Sequence, residues 1–136
     1  MIVVDTNIIS YFYLQTTFSS KAELLFQKDP DWAAPILWKS EFRNVLALYL
    51  RKKLISFEQA VNIQDEAESL FGETEYEISS SHVLSLVNQS SCSAYDCEFI
   101  ALAQQLNVGL ITQDKKLLLN FPSVAISIDT YLNSRP

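Results

Sequence analysis

Five short strand-like runs, at residues 2–4, 32–36, 75–78, 108–112 and 124–128, are separated from one another by stretches of helical character. That alternation specifies a parallel sheet, because neighbouring strands that run the same way need a long crossover, and a helix supplies it. The helical stretches are residues 8–14, 20–28, 39–53, 57–71, 82–89, 94–106, 115–120 and 130–132. In the clearest, 39–53, Phe42, Val45, Leu46, Tyr49 and Leu50 fall at the i, i+3, i+4, i+7, i+8 spacing of one face. The stretch 94–106 is apolar almost all round and belongs inside the molecule. Two long helices in succession, 39–53 and 57–71, form a helical insertion in an otherwise regular alternation. The expected architecture is a three-layer α/β/α sandwich with a five-stranded parallel sheet, built as one domain over residues 1–136.

Only two glycines occur, Gly72 and Gly109, so neither a P-loop nor a glycine-rich dinucleotide turn can be built. No apolar run is long enough to span a bilayer. The opening MIVVDTN lacks the basic region of a secretory signal, and a cytoplasmic location is expected. In that compartment Cys92 and Cys97 are expected to be free thiols. The four residues between them match a spacing that zinc sites use, but only His82 remains as a further N or S ligand. His82 is the sole histidine and reads as a helix-start residue with a structural role. The formal net charge of −6 argues against a non-specific nucleic-acid coat. It does not exclude a nuclease, whose carboxylates are neutralised by the cation they bind. Lys39, Arg43, Arg51, Lys52, Lys53, Lys115 and Lys116 remain for phosphates, although the run 51–53 reads first as a helix C-terminus complementing its dipole.

Four acids stand out by position. Asp5 ends the first apolar run and is followed by Thr6 and Asn7; Asp114 follows VGLIT with only Gln113 between; Glu41 and Asp96 open two apolar helices. In a parallel sheet the strand C-termini and helix N-termini share one rim, where ligands bind. Each acid alone has an ordinary explanation. Asp96 completes a capping box with Ser93, Asp114 caps the helix at Lys115, Asp5 precedes a turn, and Glu41 suits the positive end of a helix. Together they are different, because clustered carboxylates repel unless a cation joins them, and oxygen-only donors suit Mg²⁺ or Mn²⁺. Asp96 shares a helix side with Ile100 and Ala103 and should face inward. Asp5, Asp96 and Asp114 are the expected metal ligands, directly or through water, with Glu41 completing the pocket. Thr112, two residues before Asp114, points the same way if the strand continues and offers a supporting hydrogen bond; Asn7 offers another.

The pieces VVDTN around Asp5, WKSEFRNVL around Glu41, SAYDCEFIALA around Asp96 and LITQDKKL around Asp114 resemble the PIN domain, and within it the VapC-like toxins of bacterial toxin–antitoxin pairs. They occur in the family's order over nearly the whole chain. The resemblance implies a five-stranded parallel sheet, a Mg²⁺- or Mn²⁺-dependent ribonuclease, homodimerisation and a cognate antitoxin. It matches Asp5, Glu41, Asp96 and Asp114 to an acidic quartet, and Asn7 and Thr112 to its polar supports. Some members carry a further acid after the fourth, where this chain has Lys115 and Lys116, a difference that bears on a second metal site and not on the first. Rival readings are a metal-dependent phosphatase, a receiver-like phospho-acceptor and a non-catalytic interaction module. A receiver pairs acids at the end of its first strand, whereas Asp5 is flanked by Val4 and Thr6. The aromatic stretch 11–14 reads as core on one side, with a partner surface as the open alternative.

Overall fold

The computed structural model describes residues 1–135; Pro136, the last residue of the expected domain, lies outside them. The elements in chain order are β1 (Ile2–Val4), α1 (Thr6–Tyr13), α2 (Ser19–Lys28), β2 (Trp32–Pro35), α3 (Leu37–Arg51), α4 (Phe57–Leu70), β3 (Glu75–Tyr76), α5 (Ser80–Asn88), α6 (Ala94–Leu106), β4 (Leu110–Ile111), α7 (Lys115–Asn120), β5 (Ala125–Ile126) and α8 (Ile128–Leu132). The strands form one five-stranded sheet in the order β3-β2-β1-β4-β5. All four pairings are parallel, with Val3 opposite both Ala33 and Leu110.

This order fixes the layers. The chain steps outward from β1 to β2 to β3, then returns past β1 to β4 and β5. Crossovers between parallel strands are right-handed, so the outward steps put α1 to α4 on one face and the opposite steps put α5 to α7 on the other. The contacts agree: α6 lies against β1, β2 and β4 with α5 packed on it, while α1 meets α2 and α3, and α8 returns to α2. The sheet is therefore the middle of a three-layer α/β/α sandwich. The winding of the chain, not the strand direction, reverses between β1 and β4, and a crevice opens at the carboxyl ends of those two strands.

Local chemistry explains the main elements. The N–H groups of Ala34 and Ile36 donate to Thr74 and Tyr76 on the β3 side. Pro35, between them, therefore turns its missing donor toward β1, beyond the last β1–β2 register pair at Val3 and Ala33, where no ladder bond is needed. α4 opens on a complete capping box, with Ser56 and Gln59 each accepting from the other's backbone N–H. α6 buries Cys97, Phe99, Ile100, Ala101, Leu102 and Ala103, which is why its sequence is apolar on nearly every side. On the other face Phe12, Phe26 and Trp32 form a triangle of rings with centroids 4.9–5.3 Å apart, and Trp38 lies 4.8 Å from Phe71. The 11–14 stretch thus does serve the core, through Phe12 and the buried Leu14.

Several boundaries differ from the sequence expectation at the rim, where α1 begins at Thr6 rather than 8. α3 begins at Leu37 rather than 39, so Glu41 stands in its second turn and does not open the helix. The early start comes from burial of Trp38, whose Nε1 donates to Glu75 Oε2 at 2.8 Å, and not from a capping side chain, since Ile36 supplies none. The strands β4 and β5 each span two residues, shorter than expected, although single ladder bonds continue past them, from Val3 to the Gly109 carbonyl and from Thr112 to the Ile126 carbonyl. Among the described residues no helix is long and apolar enough to cross a membrane.

Candidate active site

Where β1 ends, the chain turns directly into α1, and Asp5 is the N-cap of that helix. One oxygen, Oδ1, accepts the Thr6 N–H at 2.8 Å; the other, Oδ2, accepts the Thr112 hydroxyl at 2.7 Å. Thr112 follows β4 and is fully buried. Its Oγ1 also accepts the Asp114 N–H at 3.0 Å, so one hydroxyl ties the ends of the two central strands together. Asp114 caps α7 through Oδ1, which accepts the Leu117 N–H at 2.9 Å. From the outward-step layer, Glu41 enters above this pair, and its Oε1 accepts the Thr6 hydroxyl at 2.7 Å.

Asp96 comes from the opposite layer. Ser93 Oγ accepts the Asp96 N–H at 3.1 Å, which is half of a capping box. The return bond from the Asp96 carboxylate, present in the Ser56–Gln59 box, is not made here. The carboxylate borders the crevice instead. Asp5, Glu41, Asp96 and Asp114 thereby line one cleft of about 390 Å³, together with Thr6, Asn7, Ser10, Tyr11, Asn44 and Val45.

The electrostatics reflect this convergence. Burial pushes the Asp5 carboxyl up from 3.8 to about 7; the charges of Asp96 and Glu41 add to the rise, while the bonds from Thr112 and Thr6 oppose it. Burial also raises Glu41, with the Asp96 charge adding, and raises Asp96, with the Asp114 charge adding and Lys116 opposing. Glu98 is raised by burial and then by Glu41, so a fifth carboxyl lies within the field of the cleft. Among the described residues none of the four acids forms an ion pair with a basic side chain.

An oxygen-only set of carboxylates with no protein counter-charge fits a hard divalent cation. The buried Oδ1 of Asn7, which borders the cleft and has no hydrogen-bond partner, is a further uncommitted oxygen. Among the described residues no three His, Cys, Asp or Glu side chains are grouped to grip one ion by themselves. A cation held here would therefore have to complete its coordination with water, which Mg²⁺ tolerates.

The other sequence candidates fall elsewhere. His82 sits in the first turn of α5, and its Nε2 meets Gln104 Oε1 at 2.7 Å, linking α5 to α6. Cys92 and Cys97 are free and buried. Lys39 pairs with Glu75 at 3.4 Å, and Arg43 folds back on the Lys39 carbonyl and Ser40. Residues that the sequence did not mark include Thr6, read only as a turn residue, and Asn44. Thr6 could not be read, because its partner Glu41 is thirty-five residues away. Asn44 could have been, since it lies one helical turn after Glu41 on the same face. Tyr11 also borders the cleft, its ring stacked 4.8 Å from Phe18.

The hydroxyl of Thr112 carries a specific expectation. Thr112→Val keeps the shape but leaves the Asp5 Oδ2 and the Asp114 N–H without partners, each in a buried or half-buried place. A loss of about 1–3 kcal/mol is expected, read as a lower melting temperature of the metal-free protein. A melt equal to that of the parent would show that this bond does not tie β1 to β4.

Comparison with known proteins bears on this geometry. The description "PIN domain" belongs to the family whose profile matches residues 2–123. Ribonuclease VapC3 of Pyrobaculum aerophilum is 25% identical over 126 residues, covering 90% of this chain and 96% of its own. Solved structures that share the fold include FitAcB and a Klebsiella complex. The crystal structure of FitAcB from Neisseria gonorrhoeae superposes with a TM-score of 0.74 at 15% identity, over 94% of this chain and 98% of that one. A toxin-antitoxin complex from Klebsiella pneumoniae superposes with a TM-score of 0.70 at 20% identity, over 94% and 98%. With the five-stranded parallel sheet and a profile match that runs from β1 almost to β5, the chain belongs to the PIN domain family.

Proposed function

We propose that the protein is a Mg²⁺- or Mn²⁺-dependent ribonuclease that hydrolyses phosphodiester bonds at the acid cleft, and that it is the toxin of a type II toxin–antitoxin pair, working in the cytoplasm as a homodimer. The observation that carries the reading is the meeting of four carboxylates from both helical layers, without a basic partner, at the carboxyl ends of the central strands. The names of the relative Ribonuclease VapC3 and of the Klebsiella toxin-antitoxin complex point the same way.

In this reading Asp5, Asp96 and Asp114 hold the cation, directly or through water. When bound, the cation supplies Lewis-acid polarisation of a phosphate and offsets the charge that develops on it. Asp5 is fixed for this by Thr6 and Thr112, which leave it one orientation. Glu41 keeps Oε2 free while Oε1 is held by Thr6, so it can orient an attacking water and take its proton. Asn7 adds a neutral oxygen on the same wall. Lys115 and Lys116, both exposed beside Asp114, reach for the phosphates of the strand.

A groove on the surface supports the antitoxin partner. Lined by Tyr13, Leu14, Gln15, Tyr49, Leu54, Ile55, Gln59 and Ile63, it begins on α1, the helix whose Tyr11 borders the cleft. An apolar helix of an antitoxin seated there, with an Arg or Lys set against the four carboxylates, would replace the cation by an ion pair.

The test is hydrolysis of defined single-stranded RNA, single-stranded DNA and a small phosphomonoester, each with and without Mn²⁺. Cleavage of RNA only when Mn²⁺ is present is expected. Turnover of the phosphomonoester alone would favour the phosphatase reading, and no turnover of any substrate would favour the interaction module. In cells, expression of the chain should slow growth, and co-expression of a small adjacent gene product should restore it.

A further inference from the structure

We propose that Tyr95 and the pocket beside it form a nucleobase subsite, which grips one unpaired base of a single-stranded RNA next to the phosphate that occupies the acid cleft. The proposal rests on the ribonuclease reading and names the form of substrate that the cleft accepts.

Tyr95 lies in the first turn of α6, immediately before Asp96, and its residue exposure is 64%. Leaving so large an aromatic surface in water is unfavourable, and unlike Tyr11, stacked on Phe18, Tyr95 is in no aromatic pair among the described residues. Its ring is one wall of a separate pocket of about 230 Å³, whose other walls are Leu37, Ser40, Glu41 and Asn44. Glu41 and Asn44 also line the acid cleft, so the two cavities share a wall and a single nucleotide can reach both.

The lining is mostly apolar, as suits the face of a base, and its continuity with the acid cleft through Glu41 and Asn44 favours a nucleotide as the occupant. A base is flat, has π faces and carries donors and acceptors on its edge. Tyr95 and Leu37 supply apolar surface for stacking, and Ser40 and Asn44 are the uncharged polar residues of the same lining. Arg43, whose Nη2 donates to Ser40 Oγ at 3.2 Å, puts a positive charge beside this lining. A base stacked and paired within a duplex cannot enter such a pocket, so the subsite selects loops, bulges and ends. Stacking is tolerant of sequence, because every base has a π face, and any preference would come from Ser40 and Asn44.

The experiment combines cleavage with binding. In Mn²⁺, Tyr95→Ala should raise KM about ten- to a hundredfold, the scale of one base–aromatic stack, with little change in kcat, and Tyr95→Phe should stay close to the parent. Replacing the base beside the cleaved bond by an abasic residue should slow the parent by the same factor and Tyr95→Ala no further. Equal effects of Tyr95→Ala on base-bearing and abasic substrates would overturn the subsite while leaving the nuclease. Fluorescence anisotropy with an RNA of about ten nucleotides and its abasic counterpart, on Asp5→Asn and on Asp5→Asn with Tyr95→Ala, gives a readout independent of cleavage. Base-dependent binding that needs Tyr95, in a protein whose parent cleaves no RNA, would sustain the subsite and sink the ribonuclease reading. Absence of base-dependent binding would overturn the subsite, and so would a change of oligomeric state in Tyr95→Ala with unaltered binding, which would assign this surface to a second copy of the chain.

Discussion

Asp5→Asn is expected to melt at a higher temperature than the parent in metal-free buffer near pH 8, while losing at least about a hundredfold in RNA cleavage. The gain follows from burial. The folded state holds the Asp5 proton until about pH 7, whereas an unfolded chain releases it near 3.8. Between those values the folded protein binds the extra proton, so stability falls as pH rises through that window and the full penalty is present above pH 7. At 1.36 kcal/mol per pH unit the penalty is about 4 kcal/mol. Asparagine removes it and can keep the hydrogen bonds: Oδ1 still accepts the Thr6 N–H, and the new NH₂ donates to the Thr112 oxygen where the carboxylate accepted. A gain of roughly 1–4 kcal/mol at pH 8, shrinking to nothing near pH 4, is therefore expected. For a chain of this length that is about 3–4 °C per kcal/mol. A residue that served only as a helix cap would show the opposite sign, its replacement costing stability where the carboxylate is charged and little near pH 4. Calorimetry across this range decides it. A destabilised variant at pH 8, or one that cleaves RNA normally, would remove Asp5 from the site.

A divalent cation should reverse the same penalty in the parent. Mn²⁺ or Mg²⁺ bound only by the folded cleft stabilises it by about 2.7 kcal/mol at a hundred times its Kd, a rise of roughly 10 °C. The rise should be smaller below pH 7, because protons compete for Asp5, Glu41 and Asp96. It should also be smaller in Asp5→Asn. A zinc chelator should leave the metal-free melt unchanged. If millimolar Mn²⁺ moved neither the melting temperature nor the cleavage rate, the interaction-module reading would be the better one.

Much of this arrangement was legible in the sequence, for reasons that can be stated residue by residue. β1 and α7 match expectation at both ends, since Asp5 and Asp114 are strong local punctuation and act as N-caps. The alternation of strands and helices gave the sheet its parallel character, but no local signal fixes which strand is central. α3 starts two residues before its sequence pattern does, because its start depends on Trp38 reaching Glu75, a contact made across 37 residues. Asp96 offered two readings, a capping box or an inward carboxylate; the N–H takes the first and the side chain the second. The bonds that orient the acids, Thr6 to Glu41 and Thr112 to Asp5, join residues 35 and 107 apart, so they emerge only from the folded chain.

The central place of β1 has a consequence for when the cleft comes into being. Asp5 is made 107 residues before its lasting partner, Thr112, and the last acid, Asp114, also follows only after α6. Until β4 pairs with β1, only the neighbouring Thr6 N–H holds Asp5, and any chain broken off before that point carries an incomplete set of carboxylates. On the function proposed above, an unfinished or prematurely terminated product is inert, and cleavage begins only after synthesis has passed β4.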